Sequence, residues 1–192
     1  MEESAVKPAP PDAKDDAPVV TLEPARMGDV EPIMELVNRL ASEGVMLPRS
    51  PASIVEKLRD FVVARVDGVF AGCGALAIVW TDIAEIRSIA VEPRFQKYGI
   101  GKRMALRLIQ DARELGLTRI VAFTYVVGFF ERLGFRVVEH ESLPHKVFND
   151  CLNCPKFHKC DEVAVELVLQ EPAAAPIKSR VALPRPGRPF TV

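Results

Sequence analysis

The chain has 192 residues, is 48% hydrophobic and 27% charged, and carries a formal net charge of -1. That length buries one substantial core and is short for two, and near-neutrality gives a nucleic-acid partner no general electrostatic support. No apolar run approaches the roughly 20 residues that span a bilayer, the acidic, Pro-rich start reads as no secretory signal, and four cysteines, three of them clustered, fit a reducing cytosol, so a cytoplasmic protein is expected.

Residues 1–17 carry Pro8, Pro10 and Pro11 among small and charged residues, and 171–192 carry five prolines with Lys178, Arg180, Arg185 and Arg188. Both are expected to be disordered tails around a domain spanning 18–170. Within it, Val19 to Pro24 reads as a strand, and Met27 to Ala41 as a helix whose inner face is Val30, Ile33, Met34, Val37 and Leu40, behind an Asp29 cap. Ser50 caps a second helix with Pro51 at its first position and Ile54, Leu58 and Phe61 on one side. Phe61 to Val66 and Val69 to Trp80 flank Asp67-Gly68, a tight hairpin signature, and Glu85 to Val91 is the next strand. A central helix follows from Gly99 to Leu115, with Met104, Leu108, Ala112 and Leu115 inward and Gly116 as its stop. Arg119 to Thr124 is a strand, Gly128 to Leu133 a short helix, Phe135 to Val138 a strand, and Val163 to Leu169 the last strand. The alternation predicts a mixed α/β domain.

Between the strand ending at Val91 and the central helix lies Gln96-Lys97-Tyr98-Gly99-Ile100-Gly101-Lys102. Glycines let the backbone approach a ligand, the first amides of a helix lack partners of their own, and the helix dipole and lysines add positive charge, so an anion site is expected. The glycine spacing fits neither the P-loop nor the dinucleotide fingerprint. Gln96-x-x-Gly99-x-Gly101 resembles the acyl-CoA loop of the GCN5-related N-acetyltransferases (GNAT). The resemblance implies their fold, a mostly antiparallel central sheet flanked by helices, with acetyl-CoA as co-substrate. Trp80-Thr81-Asp82-x-x-Glu85-Ile86-Arg87-Ser88, the connector Gly44 to Ser50, and Ser142-Leu143-Pro144-x-Lys146 with Asp150-Cys151-x-x-Cys154-Pro155 are similar to segments of short bacterial amino-acid N-acetyltransferases that act on glutamate.

That branch implies N-acetylation of glutamate or glutamine by direct attack of the amine on the thioester. Glu85 is then the proton acceptor, with Ser88 contributing a hydroxyl; an ion pair of Glu85 with Arg87 is the alternative, since alternation puts both on one face. The acyl-CoA site is expected at Ile89, Ala90 and Val91, whose backbone would polarise the carbonyl, at Gln96, Lys97, Tyr98, Gly99, Ile100, Gly101 and Lys102, and at Phe129 and Arg132. Arg26, Arg49, Arg87 and Lys146 are candidates to hold substrate carboxylates. Many enzymes of this superfamily keep a tyrosine acid where Phe130 stands here, and Tyr125 is a possible substitute. Cys151, Cys154, His158 and Cys160 could supply four zinc ligands, and the first pair has metal-knuckle spacing, but His158 and Cys160 stand too close together for a standard structural site. A reduced packed loop or a reversible disulfide is the other reading, and no metal is expected to be required. A homodimer is a possible assembly. Another amino acid or a protein amine remains a rival acceptor, and a non-catalytic acyl-CoA-binding module a rival role.

Overall fold

The computed structural model describes residues 17–143, 156 and 159–169. The tails up to 16 and from 170, and Lys146, Cys151, Cys154 and His158, lie outside the described residues. One seven-stranded sheet organises the rest: β1 (Val20–Pro24), β2 (Phe61–Val66), β3 (Val69–Ile78), β4 (Ile83–Val91), β5 (Arg119–Thr124), β6 (Arg136–Val137) and β7 (Val163–Val168), in spatial order 1-2-3-4-5-7-6. Every pairing is antiparallel except β4 with β5, and parallel strands need a crossover. The crossover here is the helix α3 (Ile100–Glu114).

α3 packs on one face of the sheet, where Leu108, Ile109 and Ala112 meet Ala84, Ile86, Ile120 and Val165. On the other face α1 (Val30–Ser42) and α2 (Pro51–Glu56) cover β2 and β3 with Ile33, Leu36 and Ile54, joined by Leu58 from the 3-10 turn after α2. A short helix α4 (Val127–Glu131) follows β5. The β2–β3 turn has Asp67 at φ 49° and Gly68 at φ 80°, the left-handed pair that a two-residue hairpin demands. Among the described residues no helix is long and apolar enough to cross a membrane.

Three local expectations are corrected. Asp29 stands before α1 but makes no side-chain cap; its carboxylate instead accepts from the Arg26 backbone N–H at 2.8 Å and from Arg65 at 2.5 Å. A nearly buried carboxylate is better satisfied by a guanidinium that also bonds Glu23 than by a cap alone. The second helix ends at Glu56, so Phe61 is the first residue of β2 rather than part of a helical face. Leu115 lies beyond the last turn of α3 and is 58% exposed. Ser50 does cap α2, its Oγ accepting from Ser53 N at 3.1 Å.

Cys73, fully buried in β3, donates its thiol to the Ser88 carbonyl at 3.6 Å. Burial pushes this thiol up from 9.0 to about 12. Between those values the unfolded chain releases the proton and the folded chain keeps it, so the contribution is complete below pH 9 and is lost as pH rises toward 12. Cys73→Ala should remove about 1.4 kcal/mol per pH unit from the alkaline fall in stability, read by denaturant titration of both proteins across that interval.

Candidate active site

The parallel ladder between β4 and β5 is three residue pairs long and stops at Glu85 opposite Val121, although β4 runs on to Val91. Beyond that point the strands part. Ile89, four residues past Glu85, and Tyr125, four past Val121, both line the resulting wedge. β4 stays with β3, but through a bulge: Cys73 faces Ala90 and Ala75 faces Arg87, so Ser88 and Ile89 together oppose Gly74. Ser88 takes φ 54°, which a residue with a Cβ rarely adopts, and such backbone concentrates at working sites. The wedge opens into a cleft of about 1330 Å³.

At one end of the cleft sits the glycine loop. Pro93–Tyr98 forms a 3-10 turn, and Gly99 at φ 66° stands at the N-cap of α3 with no side chain closing the helix end. Gln96, Gly99, Gly101 and Lys102 line the cleft with Ala90, Val91 and Phe129. A Cβ at Gly101 would come no closer than 3.6 Å to its neighbours, so the fold itself does not require glycine there. Gly101→Asp should therefore leave stability unchanged or raise it by about 0.3–1 kcal/mol through the helix dipole. It should weaken an anionic ligand by at least tenfold, as thermal denaturation and calorimetry with coenzyme A would measure.

Other loop residues are placed differently. The Ile100 side chain is fully buried with Met104 and Ala64 in the core, because it is the first inward position of α3. Tyr98 is exposed and packs against Phe95 at 6.2 Å, outside the cleft lining. Of Lys97 only the backbone is described, within the 3-10 turn. Arg132 follows α4 outside the lining, near Gly128.

The opposite end is charged. Glu85 and Arg87 project to the same side of β4, largely buried, with Arg87 Nη1 3.7 Å from Glu85 Oε2 and Nη2 3.9 Å from Asp60 Oδ2. The ion-pair and proton-acceptor readings of Glu85 thus share one geometry, since both side chains line the cleft. Arg49 and Lys57 reach it from the α1–α2 connector and the end of α2. Asn38 of α1 fixes the connector by accepting from Arg49 N at 2.9 Å and donating to Arg49 O at 3.0 Å. Arg26 is exposed beside the end of β1 and is not among the lining residues. The third wall was not anticipated, apart from Tyr125. His140 stacks on Phe123 at 5.5 Å with its Nε2 buried and unbonded among the described residues, and Glu141, Cys160 and Glu162 complete that wall. Cys160 stands out in the sequence only as a member of the cysteine cluster; no spacing rule marks His140, Glu141 or Glu162, because they come from the turn after β6 and the lead-in to β7 and meet only in the folded sheet.

Phe130 also borders the cleft, yet it is 5% exposed and packs edge-on against Phe129 at 5.2 Å and Phe135 at 5.1 Å. It is a core ring and cannot give a proton. Tyr125 donates to Asp161 Oδ1 at 2.7 Å and accepts from Lys156 Nζ at 2.8 Å. Its own acidity is weakened, chiefly by desolvation. Among the described residues no group of three His, Cys, Asp or Glu side chains could hold a metal.

The profile of the acetyltransferase (GNAT) family matches residues 33–135, from within α1 to the turn before β6, and so spans the glycine loop and the wedge. The chain belongs to the GNAT family. It is an N-acetyltransferase with the mostly antiparallel, helix-flanked sheet of that fold. An uncharacterized N-acetyltransferase of Chlorobaculum tepidum is 40% identical to this GNAT enzyme over 141 residues, covering 73% of this chain and 91% of its own. An amino-acid acetyltransferase of Mycobacterium tuberculosis is 36% identical over 129 residues, 66% of this chain and 74% of the relative. Among solved structures, N-acetylglutamate synthase from Neisseria gonorrhoeae, complexed with coenzyme A and N-acetyl-glutamate, superposes with a TM-score of 0.72 at 26% identity. That match takes in 80% of this GNAT chain but 36% of the longer synthase. The structure of Rv2747 from Mycobacterium tuberculosis, in complex with CoA and NLQ, gives a TM-score of 0.68 at 31% identity over 78% of this chain and 99% of that one.

Proposed function

We propose that this enzyme acetylates the α-amino group of L-glutamate with acetyl-CoA, giving N-acetyl-L-glutamate for arginine biosynthesis, with glutamine, which would give N-acetyl-L-glutamine, as the alternative acceptor. The observation that carries the reading is the pairing, in one cleft, of a carboxylate at the wedge root, Glu85, with the cations Arg87, Arg49 and Lys57. A protein amine, the rival acceptor, would meet the same three cations, with Glu43, Glu56, Glu141 and Glu162 also along the cleft. An amino-acid carboxylate is well matched, because a guanidinium can bond both of its oxygens. The names of the Mycobacterium tuberculosis and Neisseria gonorrhoeae relatives support the same class of acceptor.

In this mechanism the helix end at Gly99 to Lys102 receives the pyrophosphate of acetyl-CoA, and amides near Ile89 to Val91 polarise the thioester carbonyl. One such fixed donor is worth about 2.7–4 kcal/mol in other enzymes. Arg87 and Arg49 orient the acceptor by its carboxylates, Glu85 takes a proton from the α-ammonium, and the freed amine attacks across the wedge. No Ser or Cys carries the acetyl group.

The test is release of free thiol from acetyl-CoA against glutamate, glutamine, aspartate, lysine and a basic peptide. Release with glutamate or glutamine well above the others is the expected result. Preference for lysine or the peptide would overturn the acceptor assignment, and binding of acetyl-CoA with no release to any amine would leave a CoA-binding module.

A further inference from the structure

Amine acetylation must return a proton to the departing thiolate, and the ring at Phe130 cannot supply it. The wall opposite β4 carries a candidate. Glu162 is the residue immediately before β7, beside the wedge, and it lines the same cleft as Glu85, Ile89, Phe129 and Phe130. Its position is set by a clip: the neighbouring Asp161 accepts from the Tyr125 hydroxyl at 2.7 Å and from Lys156 Nζ at 3.0 Å, while Lys156 also donates to the Tyr125 oxygen at 2.8 Å. Tyr125 directly follows β5 and Asp161 lies two residues before β7, so the clip joins two paired strands just beyond the end of their ladder. It also directs the Tyr125 proton to Asp161, away from a leaving group.

We propose that Glu162 is the proton shuttle of this site, taking a proton from the nitrogen after attack and passing it to the coenzyme A sulfur; the inference rests on the amine-acetylation reading above. The step balances. Glu85 removes one proton from the acceptor ammonium, the neutral amine forms the N–C bond, and the carbonyl carbon becomes tetrahedral with a positively charged nitrogen. Glu162 accepts a second proton from that nitrogen. As the carbonyl re-forms and the C–S bond breaks, the same proton goes to sulfur, leaving the amide with its one remaining N–H and the coenzyme as free thiol. No oxidant or further reactant enters.

The electrostatics suit a group that must both accept and donate. Burial, and then the charge of Asp161, push the Glu162 carboxyl up from its ordinary value, against the opposing pull of Lys156 and Arg49. Tyr125, His140, Glu141 and Cys160 are the other titratable groups on this wall. A carboxyl shifted toward neutrality loses its proton to a thiolate more readily than it loses it to Asp161, whose own acidity is strengthened, first by the bond from Tyr125.

The experiment compares wild type, Glu162→Gln and Glu85→Gln with acetyl-CoA and with acetyl-selenoCoA, whose selenolate leaves without needing a proton. Each assay uses whichever amine the wild type acetylates fastest, so a wrong acceptor assignment does not affect the outcome. Glu162→Gln should lower kcat about 100-fold with acetyl-CoA, with both KM values and the melting temperature unchanged. Most of that loss should vanish with the selenoester, because selenolate departs unprotonated and the strongly acidic N-protonated amide it leaves gives its proton to water. The loss in Glu85→Gln should persist with both donors. A Glu162→Gln enzyme with wild-type kcat, or one equally slow with both donors, would overturn the shuttle. If Glu162→Gln melts early, Glu162→Asp keeps the charge on a shorter arm and should give the same donor-dependent loss in smaller measure. An equal loss with both donors there would overturn the inference as well.

Discussion

Glu85→Gln is expected to lower kcat for acceptor acetylation by about 100-fold at neutral pH, while the affinity for acetyl-CoA stays as it was. The α-ammonium of an amino acid holds its proton at pH 7, and an amide cannot remove it. The deficit should shrink as pH rises and the free amine accumulates in solution, which gives the variant a pH–rate profile steeper than that of the wild type. Glutamine keeps the length of glutamate, so Arg87 retains a polar neighbour in addition to Asp60, 3.9 Å away. A parallel fall in stability with an unaltered pH profile would reduce Glu85 to a structural partner of the 3.7 Å ion pair.

Gly72→Ala tests the frame rather than the chemistry. A Cβ on Gly72 would lie 2.5 Å from the Ala90 carbonyl oxygen, 3.2 Å from Val91 Cα and 3.3 Å from the Met104 methyl. The first two are backbone atoms of the paired strand β4, so no side-chain rotation relieves the clash. Overpacking of this kind costs about 1–3 kcal/mol, and each kcal/mol lowers the melting temperature of a domain this size by roughly 2–4 °C. The displaced residues are the ones that border the glycine loop, so acetyl-CoA affinity should fall as well, by about tenfold. Normal affinity in a destabilised Gly72→Ala protein would detach the end of β4 from acetyl-CoA recognition.

Much of the fold was legible because it is written in local pattern. The Asp67-Gly68 hairpin, the Ser50 cap and the loop from Gln96 to Gly101 each need only a few adjacent residues, and each is found as expected. Local pattern stops short where a distant partner or the helical phase decides the placement of a side chain. Asp29 has the chemistry of a helix cap, but Arg65 approaches from β2 and takes the carboxylate. Arg26 has the charge of a substrate clamp, yet the end of β1 leaves it outside the cleft. Ile100 falls within the ligand loop by sequence and inside the core by helical phase. Glu162 and His140 carried no signal at all, since their relation to Glu85 exists only through β5 and β7.

The three-pair seam between β4 and β5 also sets how the backbone exchanges with solvent. Past Glu85, some amides of β4 face β3 and others face the wedge, the regular alternation being interrupted at the Ser88–Ile89 bulge. Those toward β3 are held in a ladder and should trade hydrogen for deuterium slowly, whereas those toward the wedge have no strand to hold them. A molecule seated in the wedge slows only the second set. Deuterium uptake over residues 86–91, with and without coenzyme A, would then register occupancy amide by amide, and uniform protection along the strand in the empty protein would mean that the seam closes in solution.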